Sequence, residues 1–206
     1  MDIICVGIGG NGQSFFMRYL ESKSFKINQI QDFDGLKHLS TPINLKKKNR
    51  KCKIIYVFNK SFEAICSHYK RKWAVRQMNK IKIENKCKIM KMEDFFNLTE
   101  KTFTDHFGCR EHFLEWYKYK HQNGIYFINL SNINKKELSK FLECDESVFD
   151  NLNLNFSHRN KYNYLKKNFP LTNIIYKSID DEIQKLSNFH NQKYLKKNKF
   201  FSINYF

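Results

Sequence analysis

The stretch from Asp2 to Leu20, DIICVGIGGNGQSFFMRYL, constrains this chain more than any other. Ile3, Ile4, Cys5 and Val6 form the short apolar run that a strand buried on both faces requires. It breaks into Gly7-Ile8-Gly9-Gly10-Asn11-Gly12, after which Phe15, Phe16, Tyr19 and Leu20 recur at helical spacing. Strand, glycine loop and helix in succession aim backbone N–H groups and a helix N-terminus at one point, the arrangement that receives an anion, usually a phosphate. Of the 7 glycines in the chain, Gly7, Gly9, Gly10 and Gly12 gather in this one turn, which argues for a backbone that must approach something closely.

The loop fits two phosphate-binding patterns. Gly7-x-Gly9-x-x-Gly12 is the dinucleotide spacing, with Asp32 and Asp34 near the distance of a ribose-binding acid. Gly7 to Ser14 also has the spacing of the mononucleotide loop, with Gln13 where that loop carries lysine. Nucleotide hydrolysis needs that lysine on the β- and γ-phosphates, so an ordinary ATPase is not expected.

At 206 residues, with 41% apolar and 16% aromatic side chains, the chain suits one globular domain over 1–206. No apolar run approaches the roughly 20 residues of a membrane span, and the start lacks the pattern of a secretory leader. Cys5, Cys52, Cys66, Cys87, Cys109 and Cys144 are scattered without a C-x-x-C pair. They read as reduced thiols in a cytoplasmic protein without a metal site, and His106 and His112 lack an acid partner that would change this. The formal charge of +17 favours anionic ligands. It selects none of them, nucleic acid included, because a chain so rich in Lys, Asn and Ile also carries a solvated lysine surface.

Further along, Lys26 to Ile30 reads as a second strand leading to Asp32-Phe33-Asp34-Gly35, a turn. Ile54 to Phe58 is β-branched and aromatic throughout, a strand ended by Asn59-Lys60-Ser61 with Ser61 as N-cap. A helix follows to about Lys80, with Phe62, Ile65, Cys66, Tyr69 and Trp73 as its inward stripe. Lys80 to Lys91 reads as a loop or short strand. Helices are expected from Glu93 and around Phe113, Trp116 and Tyr117, then a strand over Ile125 to Leu130. Asn134-x-x-Glu137 is a capping box, and Asp145 caps one more turn. Beyond Phe156 the signal weakens, with a short helix over Asp180 to Phe189 and a basic, aromatic tail. Alternating strands and helices make this an α/β domain of three layers around a mostly parallel sheet.

The second unit, Ile54 to Arg71, IIYVFNKSFEAICSHYKR, resembles the 3′-phosphate-binding segment of the sulfotransferase family. There a strand and an Arg-Asp/Asn-Pro turn precede a helix bearing an acid and then a serine, the positions of Glu63 and Ser67. The loop Gly10-Asn11-Gly12-Gln13-Ser14 is similar to the family's Lys-Ser-Gly-Thr-Thr loop for the 5′-phosphosulfate. His38, in Lys37-His38-Leu39, matches the histidine of its Lys-Thr-His-Leu-Pro stretch. With the Phe113 to Tyr117 and Glu137 to Leu142 segments, the likeness covers roughly residues 1–160, leaving 161–206 as a C-terminal extension. The departures are Gly10 for the loop lysine, Asn59 for the arginine and Ser61 for the proline.

The resemblance implies a fold like that of the P-loop nucleoside-triphosphate hydrolases and transfer of sulfate from 3′-phosphoadenosine 5′-phosphosulfate. The acceptor would be a hydroxyl or amine on a small molecule or carbohydrate. It makes His38 the catalytic base, with Gly10, Asn11, Gly12, Gln13, Ser14, Asn59, Lys60 and Ser67 around the cofactor. Lys37 is a substitute for the missing charge, and Arg159 a further cation near the cofactor. Restoring lysine at position 10 is then expected to raise turnover. A dinucleotide-binding protein and a non-catalytic polyanion-binding protein are the other two function classes that these residues allow.

Overall fold

The apolar runs of the sequence pair side by side in one sheet. The computed structural model describes residues 2–10, 12–45, 52–81, 89–120, 124–152 and 162–201; Asn11, Cys87, Arg159 and most of the stretch from 82 to 91 lie outside them. Strands β1 (Asp2–Val6), β2 (Lys26–Ile27), β3 (Lys53–Phe58) and β4 (Ile125–Asn129) form a sheet in the order β2-β1-β3-β4, every pair parallel. Cys5 lies opposite Ile55, and Ile55 opposite Tyr126. The helices are α1 (Gln13–Ser22), α2 (Ser61–Lys70), α3 (Ala74–Ile81), α4 (Met92–Thr102), α5 (Cys109–Lys118), α6 (Lys135–Leu142), α7 (Asn163–Asn168) and α8 (Pro170–Phe201).

Because strand side chains alternate, the sheet feeds two cores. Ile4, Tyr56 and Phe127 face Phe62, Phe95, Phe113, Trp116 and Tyr176 from α2, α4, α5 and α8. Cys5, Ile55 and Tyr126 face Phe16 and Leu20 of α1 and Leu138 and Phe141 of α6. Helices therefore cover both faces, the three-layer α/β arrangement, and the strands read as continuous apolar runs for that reason.

Asparagine side chains stand in for a missing strand neighbour at β1, past the end of β2, and at the outer edge of β4. Beyond β2, Asn28 accepts from Cys5 N at 2.8 Å and donates to Cys5 O at 3.2 Å. Beyond β4, Asn191 of α8 accepts from Phe127 N at 3.2 Å and donates to Phe127 O at 2.8 Å. His190 donates through Nε2 to Ile125 O at 2.8 Å. Each side chain does for the edge what a further strand would do.

The structure corrects several expectations. Strand β2 stops at Ile27: Asn28 N still donates to Ile3 O at 3.1 Å, and from there its side chain rather than a further residue pairs with Cys5. The helix expected from Ser61 to Lys80 is two helices, broken where Lys72 takes φ +60°. That break turns Trp73 outward, 55% exposed, so it is not core. Ser61 is the first residue of α2 rather than its cap. The C-terminal helix runs 32 residues rather than ten. Its buried positions include Thr172, Ser187, His190 and Asn191, polar groups that weaken the apolar periodicity a reader looks for.

Candidate functional site

In a parallel sheet every strand delivers the chain to the same edge, where open α/β sheets bind ligands. The loop after β1 and the start of α2 after β3 emerge there as neighbours. Beside them lies a cleft of about 290 Å³. Gly9, Gly10, Gly12, Gln13 and Ser14 form one wall, and Lys37 and His38 another. Ser67, His68, Arg71, Trp73 and Gln77 form the third. Gly10, Gly12, Gln13, Ser14, His38 and Ser67, named separately from sequence, thus meet in one place. Asn59 and Lys60 do not join them. They line a second cleft of about 380 Å³ with Glu63, Lys166 and Asp180.

The glycine loop turns its carbonyls inward. Gly7 O accepts from His38 Nδ1 at 2.8 Å, and Ile8 O accepts from Gln77 Nε2 at 2.8 Å and His68 Nε2 at 3.2 Å. Among the described residues the amides of Gly9, Gly10, Gly12 and Gln13 have no acceptor. Unpaired N–H groups at the head of a ten-residue helix carry partial positive charge. The Gln13 side chain, in the place of the mononucleotide-loop lysine, is a brace instead. Only 1% exposed, it donates through Nε2 to Cys5 O at 3.3 Å and Lys37 O at 3.2 Å. Its Oε1 is buried without a partner.

The charge enters from elsewhere in the chain. Lys37 Nζ donates to Ser14 Oγ and to Ile30 O, both at 2.6 Å. Burial pushes its pKa down, and Asp32 pulls it back up. Asp32 itself accepts from Lys37 N at 3.0 Å and pairs with Lys80. Arg71 stacks over Trp73 at 4.9 Å and donates through Nε to Ser67 O at 3.1 Å. The lining described contains these two cations and no carboxylate.

Position 10 cannot take the lysine expected there. Gly10 has φ +74°, and a Cβ would lie 2.6 Å from Ala64 O and 2.8 Å from His68 Nε2. Lysine at this position would strain the loop rather than restore a charge to the cleft.

His38 lies close against the loop: a Cβ on Gly9 would come within 2.6 Å of its Cε1. A carbonyl only accepts, so Nδ1 carries the proton given to Gly7 O and Nε2 keeps a lone pair. Burial lowers the His38 pKa to about 4, against the Gly7 hydrogen bond and Asp32, which raise it. The imidazole is a neutral proton acceptor, and an anion bound beside it would raise its basicity. Burial also lowers His68 to about 3. The Tyr162 phenol lies beside Ser67, and burial raises its pKa.

In the second cleft the head of α2 is already occupied. Asp180 of α8 accepts from Ser61 N at 3.1 and 3.0 Å and from Ser61 Oγ at 2.6 Å. Burial raises its pKa to about 7. Asn59 Oδ1 accepts from Ser131 Oγ, and Glu63 pairs with Lys166 at 2.7 Å. An internal carboxylate thus stands where a phosphate beside Asn59 and Lys60 was expected. Asp34, a candidate for ribose, accepts from Gln29 N at 2.7 Å and Leu36 N at 3.1 Å within its own turn.

Sequence reasoning missed Arg71, His68 and Gln77. Arg71 sits four residues after Ser67, on the same side of α2, and that spacing was the available signal. Among the described residues no His, Cys, Asp and Glu group suited to a metal is found, and no helix is long and apolar enough to cross a membrane. No protein-family model matches this chain, and neither curated proteins nor solved structures yield a match. Fold and site together define a parallel α/β protein with a cationic glycine-loop cleft at its carboxyl edge.

Proposed function

We propose that this protein is a sulfotransferase-like enzyme that binds 3′-phosphoadenosine 5′-phosphosulfate in the glycine-loop cleft. The observation carrying this reading is the convergence of three separate stretches on one cleft with two cations and no carboxylate. The unpaired loop amides and Lys37 suit the 5′-phosphosulfate end, and Ser67 with Arg71 suits a second phosphate. The donor supplies an activated sulfuryl group. His38 Nε2 would take the proton of an acceptor hydroxyl or amine on a small molecule or carbohydrate, with no metal in these roles. Lys37 stands in for the family's loop lysine, and Asn59 and Lys60 drop out of the cofactor set.

Thermal unfolding tests the proposal. A ligand at a hundredfold excess over Kd stabilises the fold by about 2.7 kcal/mol, which raises Tm by roughly 5–10 °C for a chain of this size. Adenosine 3′,5′-bisphosphate is expected to give that shift, and adenosine 5′-monophosphate and NAD much less. Lys37→Met and Ser67→Ala should each shrink it. A larger shift with NAD would establish the dinucleotide alternative. No shift with any nucleotide, alongside salt-steep binding of heparin, would leave a non-catalytic polyanion-binding protein.

A further inference from the structure

The segment from Asn28 to Thr41 has turns and bends but no helix or strand, yet it delivers Lys37 and His38 to the cleft. On the loop side it is stitched by Gly7 N to Lys37 O at 3.0 Å and by His38 Nδ1 to Gly7 O at 2.8 Å. The very next residue is gripped from the opposite side. Leu39 O accepts from His112 Nε2 at 2.9 Å and from Trp116 Nε1 at 3.0 Å. A carbonyl oxygen has two lone pairs, and both go to ring N–H groups at i and i+4 on one face of α5. Both rings are 0% exposed.

His112 can donate through Nε2 while neutral only if Nδ1 is the lone-pair nitrogen. Tyr56 of β3 meets that requirement, its hydroxyl donating to Nδ1 at 2.9 Å. A file of hydrogen bonds therefore runs from the central strand through α5 to the main chain beside His38. Apolar rings would fill the same volume without the desolvation cost of buried polar groups, so packing alone does not account for it.

We infer that His112 and Trp116 are positioning residues that fix the reach of Lys37 and His38 into the cleft by holding the Leu39 carbonyl, with Tyr56 keeping His112 in its donating tautomer. The ligand in this inference rests on the proposed function; the grip does not. Asp32, Lys37 and Lys80 also act on the charge of His38, and the substitutions that follow leave all three in place.

Two readouts on the 206-residue chain decide it: the NMR titration of the His38 imidazole and the Kd for adenosine 3′,5′-bisphosphate. Trp116→Phe keeps the ring and deletes one donor. It should move the His38 titration from about 4 toward the ordinary value of about 6.5 and weaken the nucleotide about tenfold, the equivalent of one lost hydrogen bond. His112→Gln, which still offers an N–H, should stay close to wild type in both. Tyr56→Phe, smaller in its disturbance, should shift the titration in the same direction should Trp116→Phe fail to fold. Folded variants with an unmoved His38 titration would overturn the inference and leave the rings a packing role. If wild type binds no adenosine bisphosphate, the proposed function falls, and the titration still decides the grip.

Discussion

At the scale of single residues, the cleft separates two jobs that one lysine does in a mononucleotide-binding loop. Gln13 braces the loop from beneath, and Lys37 brings the charge from a distant stretch. Gly10 has neither job, and its role is to leave room. At φ +74° any other residue is strained, and a side chain would press on Ala64 O. Gly10→Ala should therefore cost about 1–3 kcal/mol from backbone conformation alone, more if the helix cannot yield. A urea midpoint no lower than wild type would show that the loop relaxes freely. Gly10 was legible as part of a turn but not as a position closed to lysine, because the atoms that close it belong to α2. Trp73 failed for a related reason: it continues the Tyr69 stripe on paper, and the left-handed Lys72 turns it to solvent.

At the scale of elements, strand–loop–helix units were legible because their signals are local. Ile54 to Phe58 needs no partner to read as a strand, and Asn134 caps α6 through Glu137 N as its spacing implies. What was not legible is where a long-range partner decides. Asn59 and Lys60 look like phosphate ligands until Asp180, 119 residues beyond Ser61, is seen to fill the head of α2. Helix α8 was read as short because Asn191 and His190 spend their buried positions on β4 rather than on apolar packing. That use predicts the effect of removing it. Asn191→Ala strands a buried N–H and a buried C=O on Phe127, each costing about 1–3 kcal/mol. Unfolding free energy should fall by about 2–4 kcal/mol, with faster hydrogen exchange at the Phe127 amide. An unchanged exchange rate would mean that water or a neighbour satisfies the edge.

At the scale of the whole molecule, buried titratable groups tie the fold to pH. In the unfolded chain each imidazole binds a proton near 6.5; in the fold His38 does so at about 4, and His68 and His112 at about 3. Asp180 runs the other way, holding its proton to about 7 rather than releasing it near 3.8. Between pH 4 and 6.5 the unfolded state thus binds three more protons on the histidines and one fewer on Asp180, a net two. Stability from these groups is greatest above pH 6.5 and falls as pH drops toward 4. Urea midpoints at pH 7 and 5 check this, and an equal or higher midpoint at pH 5 would contradict the buried neutral rings. The closure of β4 by α8 also sets a timetable. Asn191 follows Phe127 by 64 residues, so at roughly 5–20 residues per second a ribosome delivers it about 3–13 s after the strand. Through that interval the nascent chain carries a bare sheet edge, and a chaperone that shields unpaired strands would act on this protein before α8 is made, not after.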